Sequence, residues 1–172
     1  AIENPGSIGP EPGYGSEFNG SKIPGGTNPY TYWGQLAIKK VDNSTPGKPL
    51  AGAEFKVFTP SEGVCSDAVP TTGLVSTGTR GADGVVLWDA ATPASSPLGL
   101  WVANSVSGPL EGPSKDYCVY ETKVPAGYSA QAFDNPVEIT PGILESGTFS
   151  LTVVNPQKEG PNLPLTGSGG TL

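Results

Sequence analysis

Between residues 35 and 41, Leu36, Ile38 and Lys40 alternate with Gln35, Ala37, Lys39 and Val41. A period of two predicts a β-strand that carries Leu36, Ile38 and Lys40 on one face. The run 53–58 (Ala-Glu-Phe-Lys-Val-Phe) alternates in the same way. Residues 72–77, 84–88, 99–103 and 117–123 supply further short strands, the first two parted by the turn sequence Thr79-Arg80-Gly81-Ala82-Asp83-Gly84. The last run, 148–155, places Phe149, Leu151, Val153 and Asn155 on one face. Residues 42–52 read as a turn, and 60–70 and 104–116 as loops. No segment shows a convincing helical period. Roughly seven short strands with turn signals between them predict an all-β, immunoglobulin-like β-sandwich.

Three polar residues break this pattern. Lys40 is in phase with Leu36 and Ile38, Asn155 with Leu151 and Val153, and Glu121 with Tyr117 and Val119. All three are expected to face inward, where an amine, an amide or a carboxyl is costly unless paired. Three such groups on three strands suggest one constellation. A lysine desolvated in an apolar core loses its proton and becomes a nucleophile. An asparagine carboxamide is an electrophile. A carboxylic acid kept protonated by burial can donate to the amide oxygen and pass a proton to departing ammonia. The competing reading makes Lys40 a surface lysine, Glu121 its salt-bridge partner and Asn155 a residue of a strand-end turn. A register slip of one residue would exchange the faces of Lys39 and Lys40.

Composition divides the chain. Its 25 glycines and 19 prolines are denser, residue for residue, in the two ends than in the middle. Residues 1–31 are expected to form a Gly/Pro-rich connector, 32–158 the sandwich, and 159–172 a flexible tail. The net charge of −7, with no basic cluster, argues against nucleic-acid binding. No apolar run reaches the ~20 residues that cross a bilayer, and no signal peptide is visible. With no histidine, His-based triads and His-ligated metal sites are excluded. Cys65 and Cys118 are too few for structural zinc. They either pair in an oxidising compartment or stand as two buried thiols, and the disulfide is the favoured reading. No metal and no cofactor is expected. The absence of methionine suggests a piece of something longer.

The run Glu121-Thr122-Lys123-Val124-Pro125-Ala126-Gly127-Tyr128, preceded by Tyr117 and Val119, resembles the E-box of collagen-adhesin B-type (CnaB) domains of Gram-positive pilins. Valine stands at 119 and 124 where the family pattern has Leu and Ala. Lys40-Val41-Asp42, with the later 47–55 segment, resembles the family's opening strand and turn, and 152–155 its closing strand. The resemblance implies an internal Lys40–Asn155 isopeptide bond, with Glu121 as the catalytic proton shuttle. Further on, Leu163-Pro164-Leu165-Thr166-Gly167 resembles the LPxTG sorting signal that sortases cut between Thr and Gly. Its proline and glycine favour an extended, accessible peptide. The resemblance implies a structural domain of a sortase-assembled pilus or wall-anchored surface protein, extracellular, joined through Thr166 to a neighbouring pilin subunit or to peptidoglycan. The apolar segment and basic tail that follow such signals are absent, so membrane contact is expected only through a missing C-terminal segment before sorting. No Tyr-Pro-Lys tripeptide, the shaft-pilin acceptor motif, is present. Lys22, in the connector, reads as a solvated linker lysine.

Self-modification of this kind is single-turnover, so the chain is not expected to be an enzyme. The alternative function is a host-ligand-binding adhesin domain. Trp88 and Trp101 are expected in the core or packed on a sheet, and Trp33 at the sandwich edge.

Overall fold

The alternation around Leu36 and Ile38 is shared by two strands. In the computed structural model, which describes residues 28–158 together with the segments 2–3, 17–18 and 21–22, the chain changes sheets at Ala37. The Ala37 N–H donates to Ser150 Oγ at 3.0 Å, and its carbonyl accepts from the N–H groups of Ser150 and Leu151. The segment before the switch, Tyr30–Leu36, therefore belongs to one sheet, and the segment after it, Ile38–Asp42, to another. The inward phase survives the switch: Leu36, Ile38 and Lys40 are all fully buried.

In chain order the strands are β1 (Ile2–Glu3), β2 (Glu17–Phe18), β3 (Ser21–Lys22), β4 (Tyr30–Leu36), β5 (Ile38–Asp42), β6 (Glu54–Phe58), β7 (Leu74–Arg80), β8 (Val86–Trp88), β9 (Leu98–Ser105), β10 (Lys115–Lys123), β11 (Val137–Ile139) and β12 (Leu151–Asn155). One sheet runs β1-β4-β9, a second β11-β10-β6-β7-β8, and β5 pairs with β12. Among the described residues, β2 pairs with β3 alone. Among the described residues the only helical element is a 3-10 turn at Ala82–Gly84. The β5–β12 pair is parallel, whereas every other strand pair is antiparallel. A bridge between Lys39 and Val85 ties β5 to the chain entering β8.

Alternating residues fill the space between the layers. Leu36, Leu100 and Val102 come from one layer, Phe55, Val57, Trp88 and Val119 from the other, and Ile38 and Val153 from the parallel pair. Gly34 sits where the two sheets approach: a Cβ there would collide with the Thr140 carbonyl and with Ile139. A smaller cluster lies on the opposite face of β10, where Phe58, Cys118 and Tyr120 pack with Cys65. Phe58 and Tyr120 meet edge to face, 5.7 Å between centroids.

The architecture is the all-β sandwich expected, with differences in detail. β4 starts at Tyr30, ahead of the change in texture at Tyr32, and β10 starts at Lys115 inside a stretch read as loop. β11, only three residues long, carries no legible alternation and was not predicted. Trp88 is buried as expected, but Trp101 is partly exposed on the outer face. There it is the cross-strand partner of Trp33, with Lys115 Nζ over its ring and its indole N–H donating to Asn104 Oδ1.

Candidate functional site

Lys40, Glu121 and Asn155 lie on β5, β10 and β12, and the fold brings them together. In the parallel β5–β12 ladder Lys40 is opposite Val153, and Asn155 is opposite Asp42. Lys40 is fully buried, so it is not a surface lysine. Its Nζ donates to the carbonyls of Val41 (2.9 Å) and Val153 (3.1 Å). Burial lowers its pKa from 10.5 to about 8, against the opposing pull of the Glu121 and Asp42 carboxylates. Roughly a tenth to a fifth of this amine is therefore neutral near physiological pH, against about a thousandth of an exposed lysine.

Asn155 is fully buried as well. Its Nδ2 donates to Glu121 Oε1 at 3.1 Å, and more weakly to the Val154 carbonyl at 3.4 Å. Burial raises the Glu121 pKa, opposed by the Asn155 hydrogen bond and the nearby Lys40 charge. Two oxygens of the pair, Glu121 Oε2 and Asn155 Oδ1, are buried without a hydrogen-bond partner. Such orphaned polar atoms are costly. The arrangement thus brings together a part-neutral amine, a carboxamide and a carboxyl whose pKa burial raises.

Local sequence explains how the site is held. After β10, Pro125 and Gly127 turn the chain: Tyr128 N–H donates to the Pro125 carbonyl, and Gly127 takes a positive φ of 87°. The next residues pair with those that follow Asn155. Ser129 N–H donates to the Pro156 carbonyl, Lys158 N–H to the Gly127 carbonyl, and Tyr128 bridges Gln157. This clasp holds the Asn155 end of β12 beside β10. At the end of β5, Asp42 Oδ1 accepts from the N–H groups of Ser44 and Lys48 and from the Ser44 hydroxyl. Those hydrogen bonds, the hydroxyl's first, hold the Asp42 carboxyl down to about 2.

Cys65 and Cys118 form a disulfide, with Cα atoms 5.5 Å apart. It pins the loop after β6 to the outer face of β10, and Tyr120 reinforces it by donating to the Ser66 carbonyl at 2.7 Å. One residue of the site was not singled out from the sequence. Asn135 uses its side-chain amide to accept from Val119 N–H (3.0 Å) and donate to Val119 O (2.7 Å), two residues before Glu121. Its Asn-Pro setting signals only a turn. Leu163, Pro164, Leu165, Thr166 and Gly167 lie outside the described residues.

Fold and site together define a β-sandwich whose paired parallel strands carry a buried lysine and a buried asparagine next to a carboxyl group. No family model matches the chain. The chain is 31% identical over 156 residues to the fimbrial subunit type 2 of Actinomyces naeslundii, covering 81% of this chain and 27% of that protein. It is thus homologous to a segment of a Gram-positive fimbrial subunit and spans about a quarter of its length. Among solved structures, the minor pilin GBS52 of Streptococcus agalactiae aligns over 78% of this chain and 49% of its own, with 18% identity and a TM-score of 0.47. Domains D2 and D3 of the major pilin SpaD of Corynebacterium diphtheriae align over 74% and 48%, with 27% identity and a TM-score of 0.39.

Proposed function

We propose that this chain is a CnaB-type structural domain of a sortase-assembled pilus or wall-anchored surface protein, locked internally by an isopeptide bond between Lys40 and Asn155. The observation that carries the reading is the constellation of buried Lys40 and Asn155 with half-buried Glu121, on three strands of a chain homologous to part of a fimbrial subunit. Neutral Lys40 Nζ attacks Asn155 Cγ, forming the new C–N bond. Glu121, as the acid, protonates the developing oxyanion on Oδ1. The proton given up by Nζ passes through Glu121 to Nδ2, the Cγ–Nδ2 bond breaks, and the proton lent to Oδ1 returns to Glu121 as the carbonyl re-forms, so one amine and one carboxamide become one secondary amide and one ammonia. No oxidant, metal or cofactor enters the balance.

The linkage gives the domain its mechanical role. β5 and β12 lie side by side near the start and end of the sandwich, so tension between the ends bears on this pair. A covalent bond across it diverts load from the rest of the fold. The clasped residues Pro156–Lys158 lead toward Leu163-Pro164-Leu165-Thr166-Gly167. In this reading a sortase cleaves after Thr166 and joins it to an amine of a neighbouring pilin subunit or of peptidoglycan, outside the cell. The internal bond is tested by intact mass: the folded chain is expected to weigh one ammonia less than its sequence, beyond the two hydrogens lost to the disulfide. A folded chain of full sequence mass, less those two hydrogens, sinks the reading. The sorting step is tested by incubation with a class of sortase that accepts LPxTG peptides, where Thr166→Ala must abolish the covalent product.

A further inference from the structure

We infer that Asn135 is a positioning residue for the Lys40–Asn155 ligation, its carboxamide standing in for a strand partner at Val119 and so setting where β10 presents Glu121. The inference rests on the ligation proposed above. β11 pairs with β10 only from Lys115 to Tyr117, with Tyr117 opposite Val137. Two residues before Val137, the Asn135 side chain reaches the β10 edge and makes both hydrogen bonds that a neighbouring peptide unit would make with Val119. A primary carboxamide has the donor and acceptor of a peptide group, so it continues the ladder by one rung without main chain.

The substitution leaves room. Where a longer β11 would run, the chain from Ala130 to Asn135 stands off, and a cavity of about 550 Å3 is lined by Val119, Tyr120, Glu121 and Phe133 as well as by Asn135. Val119 directs its main-chain groups to this edge. By the two-residue period of the strand, Glu121 directs its own to the same edge. On the far edge β6 pairs with Glu121 through Phe55, but the register slips immediately afterwards, between Glu121 and Lys123. The Asn135 grip is therefore the last fixed point on the cavity side before the residue whose carboxyl must meet Asn155. Asn135 is itself exposed, so its loss removes little apolar packing.

The test follows ammonia loss by intact mass during cell-free synthesis of the full chain, from pH 5 to 9, for wild type, Asn135→Ala, Asn135→Asp and Glu121→Ala. Asn135→Ala is expected to fold and form its disulfide but to lose ammonia about tenfold more slowly or worse, as a displaced catalytic group does. The alkaline limb of its rate profile should move to lower pH, because a Glu121 free to drift into the cavity gains water. The charges around that carboxyl are Lys40 across the core and Asp67 and Asp134 at the cavity wall. Asn135→Asp is nearly isosteric and guards against a folding failure. Its carboxylate still accepts from Val119 N–H but repels the Val119 carbonyl, so it too should be slow at neutral pH. Folded variants with the wild-type rate, or slowed with an unchanged pH profile, overturn the inference. If wild type keeps its ammonia as Glu121→Ala does, the ligation itself fails and the inference falls with it.

Discussion

Asn155 donates its Nδ2 to Glu121 Oε1 across 3.1 Å, while Glu121 Oε2 and Asn155 Oδ1 stay buried and unpartnered. In the proposed ligation the unpartnered amide oxygen gains charge and the carboxyl supplies a proton. Glu121→Gln preserves the shape and can still accept from Asn155 Nδ2, but it has no acidic proton. The variant is expected to fold, form its disulfide and retain its ammonia, read as intact mass. A Glu121→Gln chain that still loses ammonia would remove Glu121 from the chemistry while leaving Lys40 and Asn155 in place.

Protonation gives a second prediction. In Asn155→Ala, which cannot ligate, Lys40 stays an amine with a folded pKa of about 8 against 10.5 in the unfolded chain. Between those values the unfolded state holds more protons, so stability must rise with pH from about 8 to 10.5. The full effect is on the order of 3 kcal/mol. Glu121 works in the opposite direction. Its folded pKa is raised, so the folded state holds more protons and its contribution is lost as pH climbs past the ordinary carboxyl range. Urea titrations of this variant should show a fall and then a rise, and the wild type, with Lys40 acylated, should lack the rise. A flat upper limb in Asn155→Ala would mean that Lys40 is hydrated.

The disulfide acts on a different part of the fold. It closes a loop of sequence separation 53 and staples a cluster of Phe58 and Tyr120 outside the main core. In the chain-entropy picture its reduction costs about 4 kcal/mol. Reduced protein is expected to keep its ligation and most of its strand content, and to be cleaved first by protease in the 59–73 loop. Limited proteolysis with and without reductant, followed by mass mapping, checks this. First cleavage elsewhere, such as near Pro125, would show that the clasp and not this loop depends on the bridge.

The sequence made much of this legible because period-two alternation survives tertiary folding. Leu36, Ile38 and Lys40 keep one face even though the chain changes sheets between Leu36 and Ile38, and Val153 and Asn155 keep theirs. What alternation cannot convey is pairing. Nothing local announces that β5 lies parallel to β12, or that Ala37 is a hinge between sheets, because both depend on partners 113 residues away, such as Ser150 for Ala37. β11 is too short for any period to show. Asn135 was invisible because it performs a main-chain task with a side chain. Trp101 was expected in the core or packed on a sheet; its phase on β9, between buried Leu100 and Val102, decides for the outer sheet face.

The parallel pairing also makes a mechanical prediction. When the full chain is pulled from its ends, force enters through β4 on one side and β12 on the other, and once β4 is peeled away the parallel β5–β12 pair, if unligated, yields by shear. With Lys40 bonded to Asn155, the chain between those two residues cannot extend at all. Wild type should then show no lengthening event attributable to that segment. Lys40→Ala should instead give an event of roughly 220 Å with the Cys65–Cys118 disulfide intact, and of roughly 400 Å once it is reduced, the reach of the released segment at about 3.5 Å per residue. Single-molecule force spectroscopy separates these outcomes without reference to thermal stability. A wild-type trace with the long event would show that the load path runs through hydrogen bonds alone, whatever the equilibrium stability of the fold.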